Sequence, residues 1–477
     1  MRRWAGPDRS PDAVPSSPAP RRAAWCSAGS TVGSEALPSA HLAGRTRSGV
    51  VVIGAGMAGI AAARGIQRAG HRVRVLEVRD RVGGRIHSWR GWPDTTLDLG
   101  ASWIHGYAAG NPVTPLARRA DARLVPTSYS SWRLHIDARL EAAGLTRSQE
   151  GRWAAVVRRA ERAARRGPHD VSLAQAVRRE VRDLDLSKVE RADLAFYLNA
   201  NYTTEWGADP DELSARTVDQ GLEYGETGED AILPDGYDQV TDFMARRLSV
   251  HTGVRVRRIV LRPGGVDVHT NAGTLRARAA VVTVPLGVLE AEGIDFRPVL
   301  PHRVAAAIDR LEMGVLSKTF LRFPEPFWPV RIDWQEYLGP RHGAWAEWFS
   351  LAKSGPPVLL CFHGGDRARS LEAADPADVR AEAMRVLRRM FGSDIPDPVA
   401  VRSTRWSLDP HAHGSYSINA VGSTRVDRVA LTRPIEGRVF LAGEATEPDY
   451  SGTVHGALLS GRRAARQVVA ALGPRSA

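Results

Sequence analysis

The apolar positions of the chain mark out a compact opening unit. Val50 to Ile53 is a short β-branched run that ends in glycine, the pattern of a buried strand in a parallel sheet. Met57 to Ala69 is made of small and helix-forming residues and predicts a helix, and Arg72 to Leu76 predicts a second strand. Arg147 to Ala164 and Leu173 to Leu184 carry apolar residues at helical spacing with many arginines between them. Val254 to Val260, Gly265 to His269 and Thr274 to Pro285 read as strands, the last closing in the apolar run AAVVTVP. Gly314 to Phe323 alternates as a strand does and contains one lysine, Lys318. From these residues alone, Lys318 is expected to face solvent. Arg438 to Arg462 predicts a strand ending at Gly443-Glu444, a glycine-punctuated turn and a helix from about Thr453.

Residues 1–47 lack any such period. They are rich in Pro, Ser, Ala, Gly and Arg and read as a disordered leader. Arg21-Arg22 would suit a twin-arginine export signal, but the segment after it is a poor apolar h-region, so a cytoplasmic location is preferred.

Composition narrows the function classes. At 477 residues, with 43% hydrophobic and 25% charged residues, the chain has the make-up of a globular protein large enough for more than one domain. No apolar run reaches the ~18–20 residues of a membrane helix, and no membrane partner is expected. The net charge of +12 is spread along the chain without an aromatic-interleaved basic module, so no nucleic-acid partner is expected. Cys26 and Cys361 have neither disulfide nor metal-ligand spacing, and no metal is expected.

The chemistry begins between the first strand and helix. Gly54, Gly56 and Gly59 have the G-x-G-x-x-G spacing. The first allows a tight turn, the second a close diphosphate, the third a helix packed on a strand. Met57 and Ala58 open the helix, whose free N–H groups would point at the phosphates. Glu77 ends the second strand, where a carboxylate accepts from ribose hydroxyls. This is a dinucleotide-binding unit. An acidic cluster, Glu205, Asp209, Asp211, Glu212, Glu223, Glu226, Glu229 and Asp230, is either a solvated, helix-capping stretch or an acidic rim that draws in an ammonium.

Several further stretches carry a family resemblance: RDRVGGR at Arg79 to Arg85, LDLGASWIHGYAAGN at Leu97 to Asn111, LPDGYDQV at Leu233 to Val240, WSLDPHAHGSYSINAVG at Trp406 to Gly422 and RVFLAGEATEPDYSGTVHGALLSGR at Arg438 to Arg462. Together they resemble the flavin-containing amine oxidase family, and G-A-S-W-I-H-G is most similar to its polyamine oxidase branch. The resemblance implies an α/β fold, a Rossmann-like FAD-binding domain (48–112, 232–299 and 425–473) plus an α+β substrate-binding domain (113–231 and 300–424). It implies FAD contacts at Arg85, at the backbone of Gly100, Ala101, Ser102 and Trp103, near Val256, and at Gly443, Glu444, Thr453 and Val454. It makes Lys318 a buried lysine bridged to the flavin, puts His105 before the substrate, and makes Tyr450 and Tyr416 the walls of an aromatic slot. The monoamine oxidase branch links its flavin through a cysteine where this chain has Ser415, so the FAD is expected to be non-covalent.

The implied reaction takes a hydride equivalent from the carbon beside an amine nitrogen; dioxygen reoxidises the flavin to give hydrogen peroxide. Polyamines come first as substrates, then small monoamines, then L-amino acids, for which no carboxylate-binding arginine stands out. Flavin-dependent desaturation and flavin binding without oxidation stay open. No oligomeric state follows from the sequence.

Overall fold

A computed structural model describes residues 48–218, 229–340 and 343–473. The expected leader with its Arg21-Arg22 pair, and Glu223 and Glu226 of the acidic cluster, lie outside the described residues. The opening unit forms as its pattern dictates. Ser48–Ile53 is a strand, Met57–Arg68 a helix and Val73–Leu76 a strand, paired in parallel with Val52 opposite Val75. Val50, Val51 and Val52 are fully buried, as a run without polar alternation must be.

These strands belong to an eight-stranded sheet. Its order is Asp295–Arg297, Val256–Arg262, Gly265–Thr270, Gly273–Val282, Ser48–Ile53, Val73–Leu76 and Val250–His251. Gly273–Val282 changes partner along its length: its first half pairs antiparallel with Gly265–Thr270, its second half in parallel with Val439–Leu441. The helices Met57–Arg68 and Val454–Leu472 pack together over this sheet at small residues. A Cβ on Gly461 would stand 2.2 Å from the Ala58 carbonyl oxygen, so only glycine permits that approach.

A six-stranded sheet runs Ala400–Ser403, Leu316–Arg322, Val358–Gly364, Glu347–Ser350, Trp334–Leu338 and Trp132–Ile136. Leu316–Arg322 is covered on both faces, which overturns the solvent-facing reading of Lys318 drawn from its own neighbours. Lys318 is only 5% exposed. After Trp132–Ile136 comes a helical stretch, Glu150–Arg166, Leu173–Glu180 and Lys188–Leu198. The first of these starts later than its apolar period suggests, because Asp193 Oδ2 takes the Gln149 amide (2.7 Å) and the Trp153 indole N–H (2.7 Å) there. The second ends sooner, at Glu180. No described helix is long and apolar enough to cross a membrane.

Candidate active site

A cavity of about 1800 Å³ extends from Glu77, Arg79 and Val256 at one end to Tyr197, Glu205 and Trp334 at the other. Ligand pockets are typically about 300–1,000 Å³, so this one has room for a dinucleotide and a substrate together. The dinucleotide end is built from backbone. Gly54 has φ +102°, and a Cβ on it would meet the Thr283 hydroxyl at 2.6 Å. A Cβ on Gly59 would stand 1.9 Å from the Gly54 carbonyl oxygen, so the turn closes only on glycine. Gly56 differs: its nearest neighbour would be the Gly83 carbonyl oxygen at 3.8 Å, and the open side faces the cavity. Met57 and Ala58 begin a helix with no side-chain cap and no acid in its first turn, so its first N–H groups remain for an anion. Glu77 is buried, accepting from Ala55 N at 2.7 Å and from Arg79 N at 2.9 Å. These features fit a flavin dinucleotide: an open glycine, an uncapped helix start and a fixed carboxylate border one space.

The segment that follows is anchored from afar. Arg85 Nη1 donates to Glu444 Oε1 (2.9 Å) and to the Ser415 carbonyl (3.0 Å), so it is not a solvated surface arginine. Glu444 also accepts from the Ser417 hydroxyl (2.6 Å) and from Gly452 N (2.9 Å). Burial pushes the Glu444 pKa up, but Arg85, Ser417 and Arg428 outweigh it and hold the carboxyl below its usual range. This network ties Gly452, Thr453 and Val454 to the cavity wall, where Thr453 caps the helix Val454–Leu472 by accepting from Gly456 N. Gly443 and the strand residue Val256 line the same cavity. Gly100 must be glycine, because a Cβ there would lie 1.6 Å from the Arg85 carbonyl oxygen.

Lys318 stands against that glycine. Its Nζ donates to the Gly100 carbonyl (2.5 Å), the Ser102 hydroxyl (2.6 Å) and the Asp98 carbonyl (3.2 Å). The ammonium also lies over the rings of Trp103 (5.6 Å) and Phe362 (5.9 Å). Burial pulls the Lys318 pKa down, and the buried Asp98 carboxylate opposes that pull. Ala101, Ser102 and Trp103 line the cavity beside it. His105 lines it too, and its Nδ1 lies 2.7 Å from Asp230 Oδ2, while Asp230 Oδ1 accepts Gly106 N at 2.8 Å. A carboxylate at Nδ1 makes that nitrogen the donor and leaves Nε2 as an acceptor.

The two tyrosines part company. Tyr416 lines the cavity, its Oη donating to the Glu205 carbonyl at 2.9 Å. Tyr450 stands beside it: its ring packs on His455 (centroids 5.1 Å apart), and His455 lines the cavity. His455 is 4% exposed, and burial pushes its pKa down to about 4, with repulsion from His105 adding to the push whenever that ring is protonated.

The acidic cluster also divides. Glu205, Glu229 and Asp230 line the cavity. Asp209 accepts Asp366 N (2.8 Å), Glu212 pairs with Arg369 (2.6 Å) and Asp211 with Arg178 (3.0 Å), all structural duties. Sequence reasoning did not single out His455, Glu347 or Arg158, which all line the cavity. Only His455 had a local signal, inside T-V-H-G. Glu347 accepts the Thr204 hydroxyl at 2.8 Å, a contact across 143 residues that no local pattern announces. Among the described residues, no cluster of His, Cys, Asp and Glu is arranged to hold a metal.

Comparison with known proteins agrees with this geometry. Residues 57–469 match the family model for flavin-containing amine oxidoreductases. Polyamine oxidase 4 of Oryza sativa subsp. japonica is 32% identical over 432 residues, 87% of each chain, and polyamine oxidase 2 of Arabidopsis thaliana is 33% identical over 441 residues, 88% of each. Lysine-specific histone demethylase 1 homolog 2 of Oryza sativa subsp. japonica is 34% identical over 438 residues, covering 89% of this chain. The chain spans only 57% of that demethylase homologue's length. Among solved structures, a putrescine oxidase bound to putrescine superposes with a TM-score of 0.71 at 19% identity, over 89% of this chain and 99% of its own, a likeness of fold. The chain belongs to the flavin-containing amine oxidoreductase family.

Proposed function

We propose that the chain oxidises polyamines, spermine or spermidine first, using a non-covalently held FAD and dioxygen. One observation carries the choice of substrate. Besides Glu77 and Glu444 at the dinucleotide end, the carboxylates of Glu150, Glu205, Glu229, Asp230 and Glu347 line the cavity of a protein with a formal charge of +12. Carboxylates gathered at a cavity in a basic protein concentrate an ammonium there. Ser415 supports non-covalent binding, since a hydroxyl offers no thiolate and its Oγ is already engaged with the Leu316 main chain. The FAD, when bound, supplies an acceptor for a hydride equivalent from the carbon beside the amine nitrogen and passes the electrons to dioxygen, giving hydrogen peroxide and an imine that water hydrolyses.

The protein's share is to bind, orient and desolvate. The turn Gly54 to Gly59, with Met57 and Ala58, would hold the diphosphate, Glu77 would meet a ribose, and the Val256 main chain would border the adenine. Arg85, Glu444 and Gly443 would hold the ribityl–diphosphate region. The Gly100 to Trp103 main chain would border the flavin, and the helix start at Thr453-Val454 would offer N–H groups to the negative charge that the flavin takes up on reduction. His105 Nε2 accepts an N–H of the amine and so aims its lone pair. An alkylammonium stays protonated to about pH 10 in water, and a desolvating site shifts it toward the neutral amine that can react. Tyr416 forms one wall of the slot. The Lys318 ammonium favours the negative charge that develops as dioxygen is reduced. Segments 48–112, 232–299 and 425–473 make the cofactor half, and 113–231 and 300–424 the substrate half.

The test is anaerobic. The purified protein should be yellow, release its flavin on denaturation, and bleach when spermine or spermidine is added. A colourless protein that takes up no FAD would overturn the reading. Bleaching only by L-amino acids would favour a second reading, which Arg158 supports: it lines the cavity without an ion-pair partner among the described residues, as a carboxylate-binding arginine would. Arg158→Met should then abolish amino-acid turnover while the flavin stays bound.

A further inference from the structure

The segment Asp98 to Trp103 is a partition with a cavity on each side. A second cavity, of about 520 Å³, lies across it from the large one, and Ser102 and Trp103 line both. Its floor includes Thr95 and Asp98; its rim includes Arg123 and Asp235, an ion pair at 3.2 Å whose side chains are 51% and 55% exposed. The cavity therefore joins the protein surface to the back of the wall on which Lys318 rests.

The floor is polar and incompletely satisfied. Thr95 is 6% exposed, and its Oγ1 has no hydrogen-bond partner. A buried hydroxyl left unpaired costs roughly 1–3 kcal/mol, a cost that a water molecule removes. Asp98 Oδ1 accepts from the Ser88 hydroxyl (2.5 Å) and Tyr237 N (3.1 Å), and its carboxyl lines the cavity. A water takes about 30 Å³ in the liquid, so the space holds several, each with polar partners within reach. On the far side, the Ser102 hydroxyl touches Lys318 Nζ at 2.6 Å and can turn its own hydrogen to the Asp98 carbonyl at 3.2 Å.

We propose that the second cavity is a water-filled proton path that recharges Lys318 through Ser102, entering from the face of the wall opposite the substrate. The inference rests on the amine-oxidase reading. Reducing dioxygen to hydrogen peroxide takes two electrons and two protons. The reduced flavin supplies both electrons and one proton, and the Lys318 ammonium supplies the other. Lys318 is then neutral. A proton from solvent passes along the cavity water to Ser102 Oγ as the Ser102 hydroxyl proton moves to Lys318 Nζ, which restores the ammonium. This separation lets the substrate side stay dry, as a neutral amine requires, while the peroxide side has a supply of protons.

The test uses the flavin-loaded enzyme reduced with dithionite, so that it does not depend on any amine. Thr95→Leu fills the floor without touching the large cavity. It is expected to slow reoxidation by dioxygen about tenfold, less than the roughly 10²–10⁴-fold of a lost direct proton donor because Lys318 itself remains, and to introduce a solvent deuterium isotope effect of about two on that step alone. Anaerobic reduction by a working amine should change less than about twofold. A crystal structure of the parent should show ordered waters linking Thr95 Oγ1, Asp98 and Ser102, and these should be absent from the variant. Should Thr95→Leu fail to fold, Thr95→Val keeps the shape, removes the hydroxyl, and should slow reoxidation about threefold. A dry cavity, or reoxidation unchanged in the folded variant, would overturn the proposal. If no amine bleaches the flavin while these effects hold, the substrate reading fails and the path stands.

Discussion

The two ends of the large cavity are made of different material. The dinucleotide end is main chain: glycines set one atom's width apart, an uncapped helix start and a carboxylate, Glu77, fixed by backbone amides. The far end is buried ionisable side chains: Lys318 against Trp103 and Phe362, His455 under Tyr450, and Glu347 on a strand buried along its whole length. One end works through shape and the other through charge held out of water. A substitution at the first should therefore destroy binding, whereas one at the second should change rates while the flavin stays.

The largest effects fall within the glycine turn and separate fold from ligand. Gly59→Ala puts a methyl 1.9 Å from the Gly54 carbonyl oxygen and 2.9 Å from the Thr283 hydroxyl. Backbone cannot yield there as a flexible side chain would, so a loss of about 3 kcal/mol in stability is expected, together with the flavin. Gly56→Ala has a compatible φ of −75° and open space, so its unfolding free energy without flavin should stay within about 1 kcal/mol of the parent. Its methyl occupies the approach of the diphosphate, and flavin affinity should fall at least about tenfold, readable by fluorescence titration. Equal destabilisation by the two would break the distinction between packing and binding glycines.

Lys318→Met tests the other end. Flavin should remain bound and anaerobic bleaching by an amine should persist, while reoxidation slows about a hundredfold in stopped flow, because a preorganised charge is gone. The Gly100 carbonyl and Ser102 hydroxyl lose their donor, so about 1–3 kcal/mol of stability should go with it. Loss of flavin binding instead would mean that Lys318 is structural.

This contrast also marks what the sequence can say. The glycine turn, its two strands and Glu77 were legible because all their determinants fall within one contiguous stretch. Lys318 was misread from its own neighbours: alternation along a strand tells which residues share a face, never whether that face is covered. The cover comes from Gly100 and Ser102, with Lys318 Nζ reaching across 218 residues to Gly100. The family resemblance supplied that burial; the local pattern did not. Tyr450 shows the reverse limit: its motif is local, but its ring contact with His455 could not be read from it.

A smaller effect separates the ends by pH. His455 folds neutral, with its pKa pushed down to about 4 against about 6.5 unfolded. A folded pKa below the unfolded one gives stability that is whole above pH 6.5 and drains away as pH falls toward 4. His363, also buried and pushed down to about 3, adds to the same slope. The unfolding free energy should thus drop between pH 6.5 and 4, and His455→Gln should reduce that drop by roughly 2 kcal/mol. An unchanged slope in the variant would mean that His455 stays charged in the fold.

The smallest effect concerns the acidic stretch, which looks uniform in sequence and is not. Asp211 pairs with Arg178 at the surface, both side chains more than 60% exposed, so Asp211→Asn should shift stability by less than about 0.5 kcal/mol and leave kinetics alone. Glu205 lies six residues earlier, lines the cavity, and its carbonyl holds Tyr416. Glu205→Gln keeps that carbonyl and removes only the charge, so the slot wall stays while the attraction for an ammonium weakens. KM for spermine should rise about three- to tenfold with kcat nearly constant, and the rise should shrink as salt screens the remaining carboxylates. Charge-neutral shape recognition would leave KM unmoved. A kcat that falls with KM unchanged would instead put Glu205 beside the reacting carbon, and the far end would then owe its selectivity to aromatic walls rather than to its acids.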